Sequence, residues 1–206
     1  KAPMVLPVGV SPWVLLFRRG SPWLEKASQE GWQGLLDPAL KDLVLLPNSP
    51  RLIISLADQI ELPNALFRLR NQARIVDDRN SLNWLLKREA RVAVLPLDRC
   101  LRRLSQDPRL DVVLPINGAP LNWTLLVRPA STFEPLPQSW VQEAWGPALA
   151  GKLLSEGWIP SLDQDELRKE IGTIPEAYQP LVLPEAGIWS RCWSLLPLKS
   201  FEKKDL

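Results

Sequence analysis

The run Arg91-Val92-Ala93-Val94-Leu95, closed by Pro96, leads into Asp98–Gln106 and then into Asp111-Val112-Val113-Leu114-Pro115, and this stretch decides the fold. Arg91–Leu95 is an apolar run of strand length. Asp98–Gln106 carries a helical pattern with its charges outward, and Asp111–Pro115 is a second apolar run. Strand, helix and strand in immediate succession point to an α/β domain with a mainly parallel sheet flanked by helices.

The same alternation extends to both sides. Upstream, strands are expected at Trp13–Phe17, Leu43–Leu46 and Arg74–Val76. Ser21-Pro22 reads as an N-cap followed by proline at the first helical position, Arg51–Gln59 and Pro63–Asn71 read as helices, and Asp77-Asp78 reads as the cap of a helix carrying Leu82, Leu85, Leu86 and Ala90. Downstream, the Asn117-Gly118 turn leads to a strand at Trp123–Val127. Beyond the proline-punctuated Thr132–Pro137 linker, Ser139–Ala150 reads as one helix, and a charged helix starts at Ser161 or Asp163 and runs to Gly172. Pro175–Pro184 reads as irregular, and Ile188–Leu196 is a final apolar segment before a charged tail.

Composition removes several function classes. The 206 residues carry 25 Lys plus Arg against 23 Asp plus Glu, a net charge of +2, which argues against a nucleic-acid binder working through a basic face. There is no histidine, so Ser-His-Asp and Cys-His catalysis and imidazole-ligated zinc are excluded. No apolar run reaches the length of a transmembrane helix. The chain opens Lys1-Ala2-Pro3 without an initiator Met or a leader pattern, and is expected to be a processed or truncated product. Cys100 and Cys192 match no metal spacing and are expected to be unbridged thiols.

Candidate chemistry is sparse. Asp163-Gln164-Asp165-Glu166 lacks the turn glycine and distal Glu of a calcium loop, and reads as an acidic first helical turn. Cys100 lies beside Arg99, Arg102 and Arg103, but no histidine base accompanies it. Gly31-Trp32-Gln33-Gly34 is not followed by the Lys-Ser/Thr of a phosphate loop. No catalytic residue, metal ligand or cofactor is nominated. The ten tryptophans serve either as core or as walls of a ligand cleft.

The order of segments resembles a known family. Leu86-Lys87-Arg88-Glu89-Ala90-Arg91-Val92-Ala93-Val94-Leu95, then Asp111–Pro115, then Gly118-Ala119-Pro120-Leu121-Asn122-Trp123 and Arg128-Pro129 resemble the second half of periplasmic polyamine-binding proteins, type-2 solute-binding proteins of ABC importers. Gly9-Val10-Ser11 looks like the first crossover between lobes, Trp32–Lys41 is similar to a W-x-x-L-x-x-P-x-x-K-G segment, and Asn48-Ser49-Pro50-Arg51 is similar to a D-S-P-R-E helix start.

The resemblance implies a type-2 periplasmic-binding-protein-like α/β fold. Residues 10–121 would be lobe 2, residues 122–197 a return strand with helices of a partial lobe 1, and residues 198–206 a charged tail. It implies a periplasmic solute-binding component of an ABC-type importer, not an enzyme. Its partners would be a small-molecule ligand, polyamine-like or of unknown kind, transporter membrane subunits and a missing upstream half-lobe or partner chain, with no nucleic acid. The cleft would be lined by Ser11, Asn48, Ser49 and Trp123. Acidic residues of the family align with Ser49, Leu52 and Leu125, and an aromatic with Leu95. Polyamine ammonium groups would thus lose charge-assisted partners worth about 1.5–3 kcal/mol each. Altered or lost ligand specificity is expected. The alternative is a non-transport interaction or structural protein built on a degenerate lobe.

Overall fold

The computed structural model describes residues 5–76, 80–129, 131–144 and 146–195. Its organising element is β1 (Val5–Arg18), a 14-residue strand that serves two half-sheets. The second half of β1 pairs with β4 (Val92–Pro96) and β5 (Leu110–Val113), and β2 (Val44–Leu46) and β3 (Ala73–Val76) extend that half-sheet beyond β4. The first half of β1 pairs with β6 (Pro120–Val127) and β7 (Ile159–Pro160), and β8 (Trp193–Ser194) joins the far side of β6. The strand order is β3-β2-β4-β1-β6-β8.

The α/β class holds, but the sheet is mixed rather than mainly parallel. β1 is antiparallel to all four strands it pairs with, whereas β2–β3, β2–β4 and β6–β8 are parallel. Seven strands therefore share one direction and β1 runs against them. Strand–helix–strand units set a common direction for β2, β3 and β4. β1 arrives from the other half-sheet, outside any such unit. The apolar pattern marks it only from Trp13 onward, and Gly9-Val10-Ser11 enters only through the family resemblance, because Pro7, Gly9 and Pro12 interrupt the β pattern of its first half.

Alternation along the strands builds a core on each face. Leu15 and Phe17 of β1, Val92 and Val94 of β4, and Val44 and Leu46 of β2 face one way. There they meet α1 (Trp23–Glu30), a 3₁₀ segment (Gly31–Leu36), α2 (Pro50–Ala57) and α3 (Ala65–Gln72), through Ala27, Trp32, Leu52, Leu56 and Leu69. Val14, Leu16, Leu45, Ala93 and Leu95 face the other way. They are covered by α4 (Ser81–Leu86) and by α5 (Leu97–Gln106), whose buried Leu97, Cys100, Leu101 and Leu104 recur at helical spacing. A smaller cluster of Leu6, Val8 and Ala144 lies under α6 (Gln138–Ala144) and α7 (Pro147–Ser155).

Three local expectations change. Ser21 does not cap α1: Pro22 occupies the cap position, and the Ser21 Oγ is buried without a partner. The single helix expected over Ser139–Ala150 is two, α6 and α7. Pro147 starts α7 at its first position, and a proline disfavours helical backbone in the residue before it. The segment read as irregular contains a 3₁₀ turn (Glu176–Tyr178) and α9 (Gln179–Val182), anchored by the Tyr178 hydroxyl donating to the Leu104 carbonyl at 3.0 Å. Asp163 caps α8 (Gln164–Glu170) by accepting from the Glu166 N–H at 2.8 Å, as its sequence position suggested. The Asp77-Asp78 cap lies outside the described residues.

Candidate functional site

Because β2, β3 and β4 are parallel, their carboxyl ends share one edge of the sheet, where open α/β folds place their ligands. β2 ends into Pro47-Asn48-Ser49 and then α2, with Pro50 at the first helical position. β4 ends at Pro96 and passes directly into α5. Trp13 of β1 pairs with Pro96, so β1, coming from its β6-paired first half through Ser11, enters the half-sheet at this same edge. β4 lies between β2 and β1, so the Asn48–Ser49 turn stands roughly 10 Å from the crossing strands. That is the span of a small solute.

The four nominated residues take different parts. Asn48 is exposed. Ser49 is half-buried and uses its hydroxyl to cap α2, accepting from the Leu52 N–H at 3.4 Å. Ser11 is fully buried and accepts from the Asp98 N–H at 2.8 Å, so its hydroxyl holds the start of α5. Trp123 is half-buried, and its Nε1 is buried without a partner. In the β1–β6 ladder Ser11 stands opposite Asn122, and Val10 stands opposite Trp123. Directly opposed residues share a face and consecutive residues alternate. Ser11 and Trp123 therefore point to opposite faces of the crossing.

Asp98 and Asn122 belong to the Ser11 side. Burial pushes the Asp98 carboxyl above the usual carboxylate range, against the pull of hydrogen bonds from Ser11 and Asn122. Among the described residues Asp98 Oδ1, like Trp123 Nε1, is buried without a partner. The crossing thus carries one acceptor and one donor, Asp98 Oδ1 and Trp123 Nε1, left over from the fold's own hydrogen bonding. The sequence pattern treated Asp98 as an outward helix charge, since the contact that buries it comes from Ser11, far upstream.

The positions aligned with the family's acids are now placed. Leu52 is 1% exposed on the buried face of α2 and packs in the core, as does Leu95. Leu125 is half-buried, two residues from Trp123 on the same face of β6. Cys100 and Cys192 are both free; Cys100 is buried, and burial pushes both thiols up.

No family model matches the chain, and no curated protein matches it in sequence. Solved structures do match in fold. The spermidine/putrescine ABC transporter substrate-binding protein PotD from Streptococcus pneumoniae superposes with a TM-score of 0.68 at 13% identity, over 93% of this chain and 62% of that one. A putative spermidine/putrescine ABC transporter from Listeria monocytogenes gives 0.64 at 16% identity, with the same shares of 93% and 62%. The sulfate-binding protein SubI from Mycobacterium tuberculosis gives 0.60 at 15% identity, over 92% and 65%. The chain has the type-2 periplasmic-binding-protein-like fold, and it spans about 62% of the length of the two polyamine-transporter neighbours.

Proposed function

We propose that the chain is a solute-binding lobe of an ABC-type importer's extracytoplasmic binding protein. Residues 10–121 form the lobe, and residues 122–197 supply the return strand and part of its companion. The carrying observation is the shared carboxyl edge of β2 and β4, flanked by Asn48–Ser49 on one side and by the β1–β6 crossing on the other. The solute lies against that edge, with the half-buried Trp123 indole as a wall. The partners are a small solute, the transporter's membrane subunits and the remaining half-lobe, in the periplasm.

The solute is not a polyamine. A flexible di- or trication needs carboxylates at its ends. Ser49, Leu52 and Leu125 provide none, and Asp98 is engaged by Ser11 and Asn122. Thermal unfolding tests this. A ligand at 100 times its dissociation constant adds about 2.7 kcal/mol. At about 2–4 °C per kcal/mol for a chain of this size, true binding raises the midpoint by roughly 5–11 °C. Millimolar spermidine or putrescine is expected to move it by less than about 1 °C, whereas a matching anionic or neutral solute, sulfate among those to be tried, produces the full shift. A full shift with either polyamine overturns this reading of specificity.

A second reading, an interaction protein on a degenerate lobe, is favoured by one observation. Phe133 and Trp140 are 95% and 62% exposed, and Val127 at the end of β6 is 58% exposed, near the smallest of the three clusters.

A further inference from the structure

Four of the large exposed apolar side chains, Ile54, Leu66, Phe67 and Val76, belong to α2, α3 and β3, at one margin of the sheet. β3 is the terminal strand of the sheet order. Between these elements runs a groove of about 600 Å³ with apolar walls that include Ile53, Ile54, Leu66 and Val76. Its polar lining is Arg70 and Arg74. Neither arginine has a carboxylate partner among the described residues. The Arg74 guanidinium stands 5.2 Å over the Trp84 ring, a contact that leaves its charge in place.

We infer that this groove binds an amphiphilic anion, its apolar chain between α2, α3 and β3 and its carboxylate or phosphate head on Arg70 and Arg74. The volume lies within the range of small-ligand sites, and apolar walls with a few convergent polar groups are their usual lining. Guanidinium forks suit carboxylate and phosphate heads, and two of them at an apolar groove select charge sign as well as shape. The groove touches the carboxyl edge at Pro50 and at the end of β3, but Ser11, Asn48, Ser49 and Trp123 do not line it, so this inference does not rest on the importer reading.

The probe is dodecanoate below its micelle concentration, titrated calorimetrically, with dodecyltrimethylammonium as the charge-reversed control. Saturable one-to-one binding of dodecanoate is expected, with the cationic amphiphile at least tenfold weaker. The double variant Arg70→Gln/Arg74→Gln should bind dodecanoate at least tenfold less tightly, and the exposed-site variant Ile54→Ser should also weaken it. Circular dichroism and an unchanged unfolding midpoint establish that each variant is folded. Equal affinity for both head groups, or unchanged affinity in the arginine double variant, overturns the inference. So does concentration-dependent dimerisation abolished by Ile54→Ser, which would assign the patch to a second copy. Sedimentation with phosphatidylglycerol vesicles without binding of free dodecanoate would assign it to a membrane surface and overturn it equally.

Discussion

Replacing Trp32 with alanine is expected to destabilise the protein by about 3–5 kcal/mol in urea unfolding, a large share of the stability of a domain of this size. Trp32 is fully buried in the 3₁₀ segment beneath the sheet, packed with Leu35, Phe17 and their neighbours. Its Nε1 donates to the Gly118 carbonyl at 2.9 Å, tying this segment to the turn that opens β6. The alanine variant leaves a cavity and an orphaned carbonyl together. Trp32→Phe keeps most of the packing and loses the hydrogen bond with part of the indole volume, so a smaller loss of about 1–3 kcal/mol is expected. A loss under about 1 kcal/mol for the alanine variant would mean that this tryptophan is not part of the core.

Gly157→Ala is expected to cost about 2–5 kcal/mol, combining left-handed backbone strain with overpacking. Gly157 sits at φ +85° in the turn between α7 and β7, and an added Cβ would lie 2.7 Å from the Leu97 carbonyl oxygen and 2.8 Å from the Asp98 nitrogen. Those are backbone atoms at the start of α5, beside the Ser11–Asp98 contact, and they cannot swing aside. Gly20→Ala supplies the control. Gly20 also has a positive φ, +73°, but nothing lies within 4 Å of its added Cβ. Its cost should be limited to the backbone strain, about 1–2 kcal/mol. Equal costs at the two positions would show that the turn after α7 does not press on the start of α5.

The difference between these two glycines illustrates what the amino-acid order reveals and what it conceals. β4, α5 and β5 were legible because their periodicity is local: Val92–Leu95 is apolar throughout, and Leu97, Cys100, Leu101 and Leu104 recur at helical spacing. The first half of β1 was legible only through family likeness, since Pro7, Gly9 and Pro12 suppress its strand signal and its partners lie more than a hundred residues downstream in β6. The candidate site divides in the same way. Asn48 and Ser49 carry a local signature, a helix start immediately beyond a strand. Asp98 carries none: in a helix otherwise lined with outward charges, only contact with Ser11 and Asn122 separates a half-buried carboxylate from a solvated one. Ser11, nominated as a cleft residue, turns inward for that same reason.

The central claim is that a solute docks where β2, β4 and the β1–β6 crossing meet. The most direct test is residue-resolved amide NMR of the folded 206-residue chain, titrated with whichever solute raises the unfolding midpoint by several degrees. Shifts are expected to centre on Asn48–Leu52, Leu97–Asp98 and Leu121–Thr124, with Trp123→Ala weakening binding at least tenfold. Shifts centred instead on the Arg70–Val76 groove or on the Phe133–Trp140 surface, with the carboxyl edge undisturbed, would contradict the account.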